Sequence, residues 1–200
     1  MRIKSEVRRQ AIMDVATEVF REHGFEQASM SEITARVGGS KATLYSYFPS
    51  KEALFVEVMH RCAKAHMEGV FAGLDPAKDV RTTLQTFGEK FVTFISEAKL
   101  ISVLRVVYSE AGRTDVGRQF YERGPKEGMR KFADYFEKCV ALGKFRPENA
   151  MVAAQHFTAL LRAEIMDPLL MGACNADGLP SLDEVVARSV DIFLRAYGTK

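Results

Sequence analysis

Apolar residues recur along this chain at helical spacing, and no stretch shows a convincing strand pattern. Ile12, Val15, Ala16, Val19 and Phe20 form the first stripe, and Gly24 follows as a C-terminal stop. Phe25 is placed to fold back as the hydrophobic contact that accompanies such a stop. Ser29-Met30-Ser31-Glu32 fits a capping box ahead of a short helix from Met30 to Val37. Gly38-Gly39 breaks that helix, Ser40 caps a third one through Tyr47, and Phe48-Pro49-Ser50 ends it. Ser50 then starts a long fourth helix with Leu54, Phe55, Val58, Met59 and Cys62 on one face.

The pattern continues past Gly73. Val80, Leu84, Phe87, Phe91, Phe94 and Ile95 make one stripe; Ile101, Leu104 and Tyr108 make a shorter one that ends at Gly112. Residues 114–143 read as helix, interrupted at Gly124-Pro125 because proline removes an amide donor. Pro147 suits the first position of the next helix, 147–171, which carries Pro168 near its end. A second capping box, Ser181-Leu182-Asp183-Glu184, opens a last helix with Leu182, Val186, Val190 and Phe193 on one side. The expected fold is all-α, about nine helices: an N-terminal three-helix module, residues 1–50, and a C-terminal helical bundle, residues 51–200. The long fourth helix joins the two without a flexible linker.

Composition narrows the class. Apolar residues make up 47% of the chain, enough for a packed interior. No run approaches the roughly 18 apolar residues of a membrane span, and the basic start MRIKSEVRRQ has no apolar segment behind it, so neither a membrane partner nor a secretory signal is expected. Cys62, Cys139 and Cys174 are far apart, with no CxxC or Cys/His cluster, so no metal or cofactor is expected and a reducing cytoplasm is the simplest compartment. The net charge is only +2, but the excess sits in residues 1–51, with Arg2, Lys4, Arg8 and Arg9 crowded at the start; a phosphate-facing end is one reading and a solvated helix start the other. There is no Gly-rich phosphate loop, HExxH or nucleophile elbow, and an enzyme is not expected.

Short helix, glycine turn, short helix within residues 29–48 is the spacing of a helix-turn-helix. In that motif the second helix enters the major groove with its N-terminal residues against base edges. Leu44 and Phe48, at i and i+4, can hold it on the protein side, leaving Lys41, Ala42, Thr43, Tyr45 and Tyr47 for DNA. Two short helices also occur in many enzymes, so spacing alone does not decide the matter.

The string GGSKATLYSYFPSKEALF at 38–55, preceded by HGFEQASMSEITARV, resembles the DNA-binding domain of the TetR family of repressors. The resemblance runs from about residue 8 to residue 58. It implies a homodimer on a palindromic double-stranded operator, with the last two helices of each chain forming a four-helix interface. It implies phosphate contacts for Ser29 and Ser31 at the start of the second helix, and a place for Ser40 at the start of the third. Base reading falls to Lys41 and Ala42, backbone contacts to Thr43, Tyr45 and Tyr47, and a phosphate clamp to Lys51. Ring packing at a helix edge is the alternative for the two tyrosines. The chain departs from the family where Val37 replaces the usual alanine, and where Gly39 replaces a β-branched apolar residue that pins the two helices; the glycine should loosen the turn.

The region around residues 100–165 is similar to the AefR-like C-terminal type of that family, which implies a small hydrophobic or amphipathic effector bound in the body. Release of DNA would then follow from a rigid-body change carried by the fourth helix. Polar residues on apolar stripes are the pocket candidates: Arg105, expected to pair with Glu110 or a ligand anion, and His156, with Tyr108, Phe87, Phe91 and Phe120 as walls. A satisfied structural role is the alternative for each. The 147–171 segment has two apolar stripes, Val152-Ala159-Ala163 and Ala153-Phe157-Leu160-Leu161, and so needs two partners. Phe157, Leu160, Leu161 and Glu164, with Val190, Phe193 and Leu194 of the last helix, are the expected subunit interface, and a helix deeply buried within one chain is the alternative. A dimeric DNA-binding regulator with no effector is the alternative function.

Overall fold

The computed structural model describes residues 2–199, and leaves the side chains of residues 2–4 and of Ala65 undescribed. Arg2 and Lys4, two of the basic residues crowded at the start, therefore lie outside the described side chains. The described residues form eleven α-helices: α1 (Arg2–Gln27), α2 (Met30–Val37), α3 (Lys41–Tyr47), α4 (Lys51–Phe71), α5 (Val80–Ser96), α6 (Ala98–Glu110), α7 (Val116–Arg123), α8 (Pro125–Ala141), α9 (Ala150–Arg162), α10 (Met166–Leu170) and α11 (Leu182–Tyr197). Two of the expected helices are each divided. Pro125 sits at the start of α8, where its missing amide costs nothing, so the 114–143 segment becomes α7 and α8. The 147–171 segment becomes α9 and α10, separated at residues 163–165. Pro147 does not open α9 as expected. Asn149 does, its side chain accepting from the amide of Val152 at 3.1 Å, because an Asn carbonyl satisfies an orphan amide that proline cannot.

The chain divides into two compact units. One comprises Met1–Ala63 with Val106–Phe120; the other comprises Lys64–Arg105 with Tyr121–Lys200. The division falls within α4, between Ala63 and Lys64, so most of the fourth helix belongs to the first unit. No helix among the described residues is long and apolar enough to cross a membrane.

In the first unit, Ile12, Ala16, Val19 and Phe20 of α1 are buried with Ile33, Leu44, Phe48, Leu54, Phe55 and Val58. Gly24 interrupts α1 in the left-handed region (φ 70°), and the chain turns there so that Phe25 meets Phe55 at 4.8 Å, while Phe20 meets Phe55 edge-on at 5.0 Å. Charged groups tie α1 to α4: Arg9 pairs with Glu57 at 2.8 Å, and Arg61 bridges Asp14 and the hydroxyl of Thr17, both at 2.7 Å.

The second unit is built on phenylalanine. α8 packs on α9, and α11 packs on both α5 and α9. Between them Phe87, Phe132, Phe157 and Phe193 form a continuous chain of rings, with centroids 5.5, 5.1 and 4.8 Å apart in that order, and all four are fully buried. Phe145 extends the cluster, stacking on Phe136 at 4.7 Å. The loop between α8 and α9 is held by its own cations. Lys144 donates to the carbonyls of Pro76 and Lys78, at 2.6 and 2.7 Å, and Arg146 donates to the carbonyls of Arg195 and Ala196 at the end of α11.

Candidate nucleic-acid interface

Local chemistry sets the boundaries of the two short helices. The Ser29 hydroxyl accepts from the amide of Glu32 at 3.1 Å and caps α2; the Ser40 hydroxyl accepts from the amide of Thr43 at 3.1 Å and caps α3; the Ser50 hydroxyl accepts from the amide of Ala53 at 3.1 Å and starts α4. The reciprocal half of the first capping box is absent. Glu32 instead accepts from Arg36 at 2.7 Å and faces His23 at 3.2 Å. Arg36 also reaches Glu22 of α1 at 2.8 Å, which locks α2 to α1. That hydrogen bond holds the Glu22 carboxyl below its ordinary value and raises the Arg36 guanidinium.

α3 is held by little. Within it only Leu44 is buried, and Phe48, the residue that ends it, is buried beside it in sequence register. Lys41, Ala42, Thr43 and Ser46 are exposed, as is Tyr45 at 47%. Tyr47 is half-buried. Ser31 is exposed on α2. An exposed helix start carrying a lysine, an alanine methyl and a hydroxyl is suited to a major groove, where these groups meet acceptors, thymine methyls and phosphates. Lys51 is placed differently from the others. Its ammonium donates to the carbonyls of Phe25 (2.8 Å) and Glu26 (3.3 Å) and stands 4.3 Å from the centre of the Phe25 ring, so it closes the end of α1.

Comparison with known proteins agrees with this geometry. A model of bacterial regulatory proteins of the tetR family matches residues 12–58, and a model of the C-terminal domain of AefR-like transcriptional repressors matches residues 82–199. The chain belongs to the TetR family. Among curated relatives, the transcriptional activator FasR of Mycolicibacterium smegmatis is 36% identical over 94 residues, 47% of this chain and 43% of FasR. The A-factor receptor protein of Streptomyces griseus is 43% identical over 49 residues, 24% of this chain and 18% of that protein. The matched region thus spans less than half the length of either relative. Solved structures match throughout. A TetR-family regulator from Mesorhizobium loti has a TM-score of 0.81 at 27% identity, covering 98% of each chain, and the flavonoid-responsive regulator FrrA has a TM-score of 0.71 at 28% identity, covering 98% of this chain and 99% of that one. This TetR-family chain is therefore a DNA-binding transcriptional regulator, like the proteins it matches.

The body of the regulator departs from the residue roles expected of it. Phe157, Leu161, Val190 and Phe193, expected at a subunit interface, are fully enclosed in their own chain and have no surface for a second copy. The large residues of α9 went inward because the phenylalanine core needed their volume. The small stripe went outward: Val152, Ala159 and Ala163 are exposed. Leu160 and Leu194 are half-buried, and Glu164 is exposed and pairs with Arg188 of α11 at 2.6 Å. Ile192 of α11, which sequence reasoning missed, is 52% exposed.

The effector candidates are divided between the two units. Phe87 is enclosed by Phe71, Phe91, Phe132 and Phe157. Arg105 pairs neither with Glu110 nor with an open space. It donates to the carbonyls of Leu169 (2.7 Å) and Leu170 (3.1 Å) at the C-terminal end of α10. His156 is exposed and its Nδ1 lies 2.5 Å from the Tyr197 hydroxyl. Tyr108 is exposed and Phe120 half-buried in the other unit.

Proposed function

We propose that this regulator is a cytoplasmic homodimeric repressor that binds a palindromic operator through two copies of α3 and is released by a small amphipathic effector. The observation that carries the reading is the exposed start of α3, where Lys41, Ala42 and Thr43 lie at the surface of a helix that buries only Leu44 within it and Phe48 at its end. Ser29, Ser31, Ser40, Tyr45 and Tyr47 are its backbone-contacting groups, and Lys51 joins them when phosphate competes for its ammonium. The dimer surface is the outer face of α9 and α11, with Val152, Ala159, Ala163, Leu160 and Ile192 supplying the apolar area and Glu164 and Leu194 at its margin. A helix apolar on two sides needs two partners, and only one is supplied by its own chain.

Two facts bear on the effector. FrrA, 28% identical across nearly the whole chain, is flavonoid-responsive, which supports an aromatic amphipathic ligand. Within the body, the Tyr135 hydroxyl is buried beside Cys139 and Thr83 without a well-formed hydrogen bond. Burial raises that phenol above its ordinary pKa, so it stays protonated and can donate to an acceptor on a ligand. The competing reading, a dimeric regulator with no effector, is favoured by the enclosed Phe87 cluster, which leaves an effector to displace rings.

Selection of bound duplexes from a random pool, with the purified protein, tests the first part. A palindrome of two half-sites about one helical turn apart is expected; an absence of any preferred duplex rejects it. Thermal-shift measurement with flavonoids and phenolic acids tests the second. Stabilisation of the native chain that Tyr135→Phe diminishes supports an effector, and no shift with any compound favours the alternative.

A further inference from the structure

The turn between α2 and α3 consists of two glycines, Gly38 and Gly39, both in the left-handed region at φ 75° and 103°. Such a turn is permitted by glycine and is also loosened by it, since neither residue has a side chain to hold the helices at a fixed angle. Something else must do so. Arg8, thirty positions earlier on α1, places its guanidinium on the turn: Nη1 lies 3.5 Å from the carbonyl of Val37, and Nη2 donates to the carbonyl of Gly38. These carbonyls lie at the C-terminal end of α2, where a cation is favoured. The guanidinium also occupies the space a side chain at position 39 would need, since a Cβ built there would come within 2.7 Å of Nη2. The next residue, Arg9, points to the other end of α3. It pairs with Glu57 and lies over the ring of Phe48, the residue that terminates α3, at 5.1 Å. Consecutive arginines of α1 thus bracket the recognition helix, one at the turn before it and one at the residue after it.

We infer that Arg8 is a positioning residue for the recognition helix. It acts as the missing side chain of the glycine turn and fixes the pose of α3 from α1; its role is not that of a phosphate ligand. The inference rests on α3 being the DNA-reading element, but part of its test does not need DNA.

Arg8→Gln and Arg8→Lys separate the two roles. A phosphate-contacting arginine loses about one unit of salt slope as glutamine and is largely restored by lysine. A guanidinium spanning two carbonyls is restored by neither. Binding would be measured by full-length protein on a duplex selected from a random pool, over a range of salt. Both variants should lose affinity on the order of five- to tenfold, with the native salt slope and an unchanged melting temperature. In the free protein the amide of Gly38, which donates to Thr34, should exchange faster with solvent in both. Gly39→Ala should reduce affinity less in an Arg8→Ala background than in the native chain, because only the backbone strain is left once the guanidinium is gone. A reduced slope with rescue by lysine, native affinity in both variants, or independent multiplying penalties would each overturn the inference. Native protein that binds no duplex would reject the DNA reading alone, and Gly38 exchange would still decide the role of Arg8.

Discussion

α3 and α11 divide the work of this protein in opposite ways. α3 has seven residues and buries one of them, Leu44. α11 has sixteen, and buries Val185, Val186, Ser189, Val190 and Phe193, the last among Phe132, Phe145, Phe157 and Tyr197. A helix that must present its side chains to a groove cannot also bury them, so α3 contributes little to its own stability and depends on caps and neighbours for its pose. α11 is stabilised by what it hides, and its one large exposed apolar residue, Ile192, stands out for that reason. Substitutions on the two helices should therefore fall into different classes: binding without stability on α3, stability or assembly on α11.

The comparison is tested hardest by Phe193→Ala. Truncating a fully buried ring that touches several others should destabilise the chain by about 3–5 kcal/mol in urea denaturation; a loss under about 1 kcal/mol would show that the cluster is loosely packed. Ile192→Asp, on the same helix but outward, should leave the monomer folded and shift the protein from dimer to monomer in sedimentation, with operator affinity falling on the order of a hundredfold as the paired half-sites are lost. A dimer that persists would remove the α9–α11 face from the interface. Lys41→Ala should cost about 1–3 kcal/mol of discrimination at the base it reads and leave stability within about 0.5 kcal/mol of native; intact sequence preference would show that Lys41 is not a reader. Ser40→Ala removes the cap of α3 and should cost about 1 kcal/mol, felt in stability and binding together.

The smallest effect is one of pH. Asp79 accepts from the amide and the hydroxyl of Thr82, both at 2.8 Å, which holds its pKa below the ordinary 3.8. Its ionised form therefore adds stability above the ordinary value, and that contribution is lost as pH falls through the lower folded value. Asp79→Asn keeps a capping oxygen but does not titrate, so its stability should fall less steeply than native below about pH 4. Parallel curves would remove the cap from the account of acid sensitivity.

Much of the first unit is legible from local sequence because its boundaries are made by neighbouring residues. Ser29, Ser40 and Ser50 each bond an amide three positions ahead, and the turn at Gly24 needs only glycine's freedom and a nearby Phe55 for Phe25 to meet. Arg105 shows the opposite case. The nearest acid along the helix, Glu110, suggests itself, but the partners are carbonyls 64 and 65 residues away, which no local pattern reveals.

Periodicity alone established that the chain is helical, where most helices stop, and that the segment now seen as α9 is apolar on two sides, because those properties are set within a few turns of backbone. It could not say which stripe of α9 meets the core. Only packing decides that, by matching volumes across α5, α8 and α11: Phe157 and Leu161 filled the interior, and Val152, Ala159 and Ala163 were left outside. In the same way the glycine turn was visible in the chain, but the guanidinium that stands in for its absent side chain was brought there by the fold, from a residue thirty positions away.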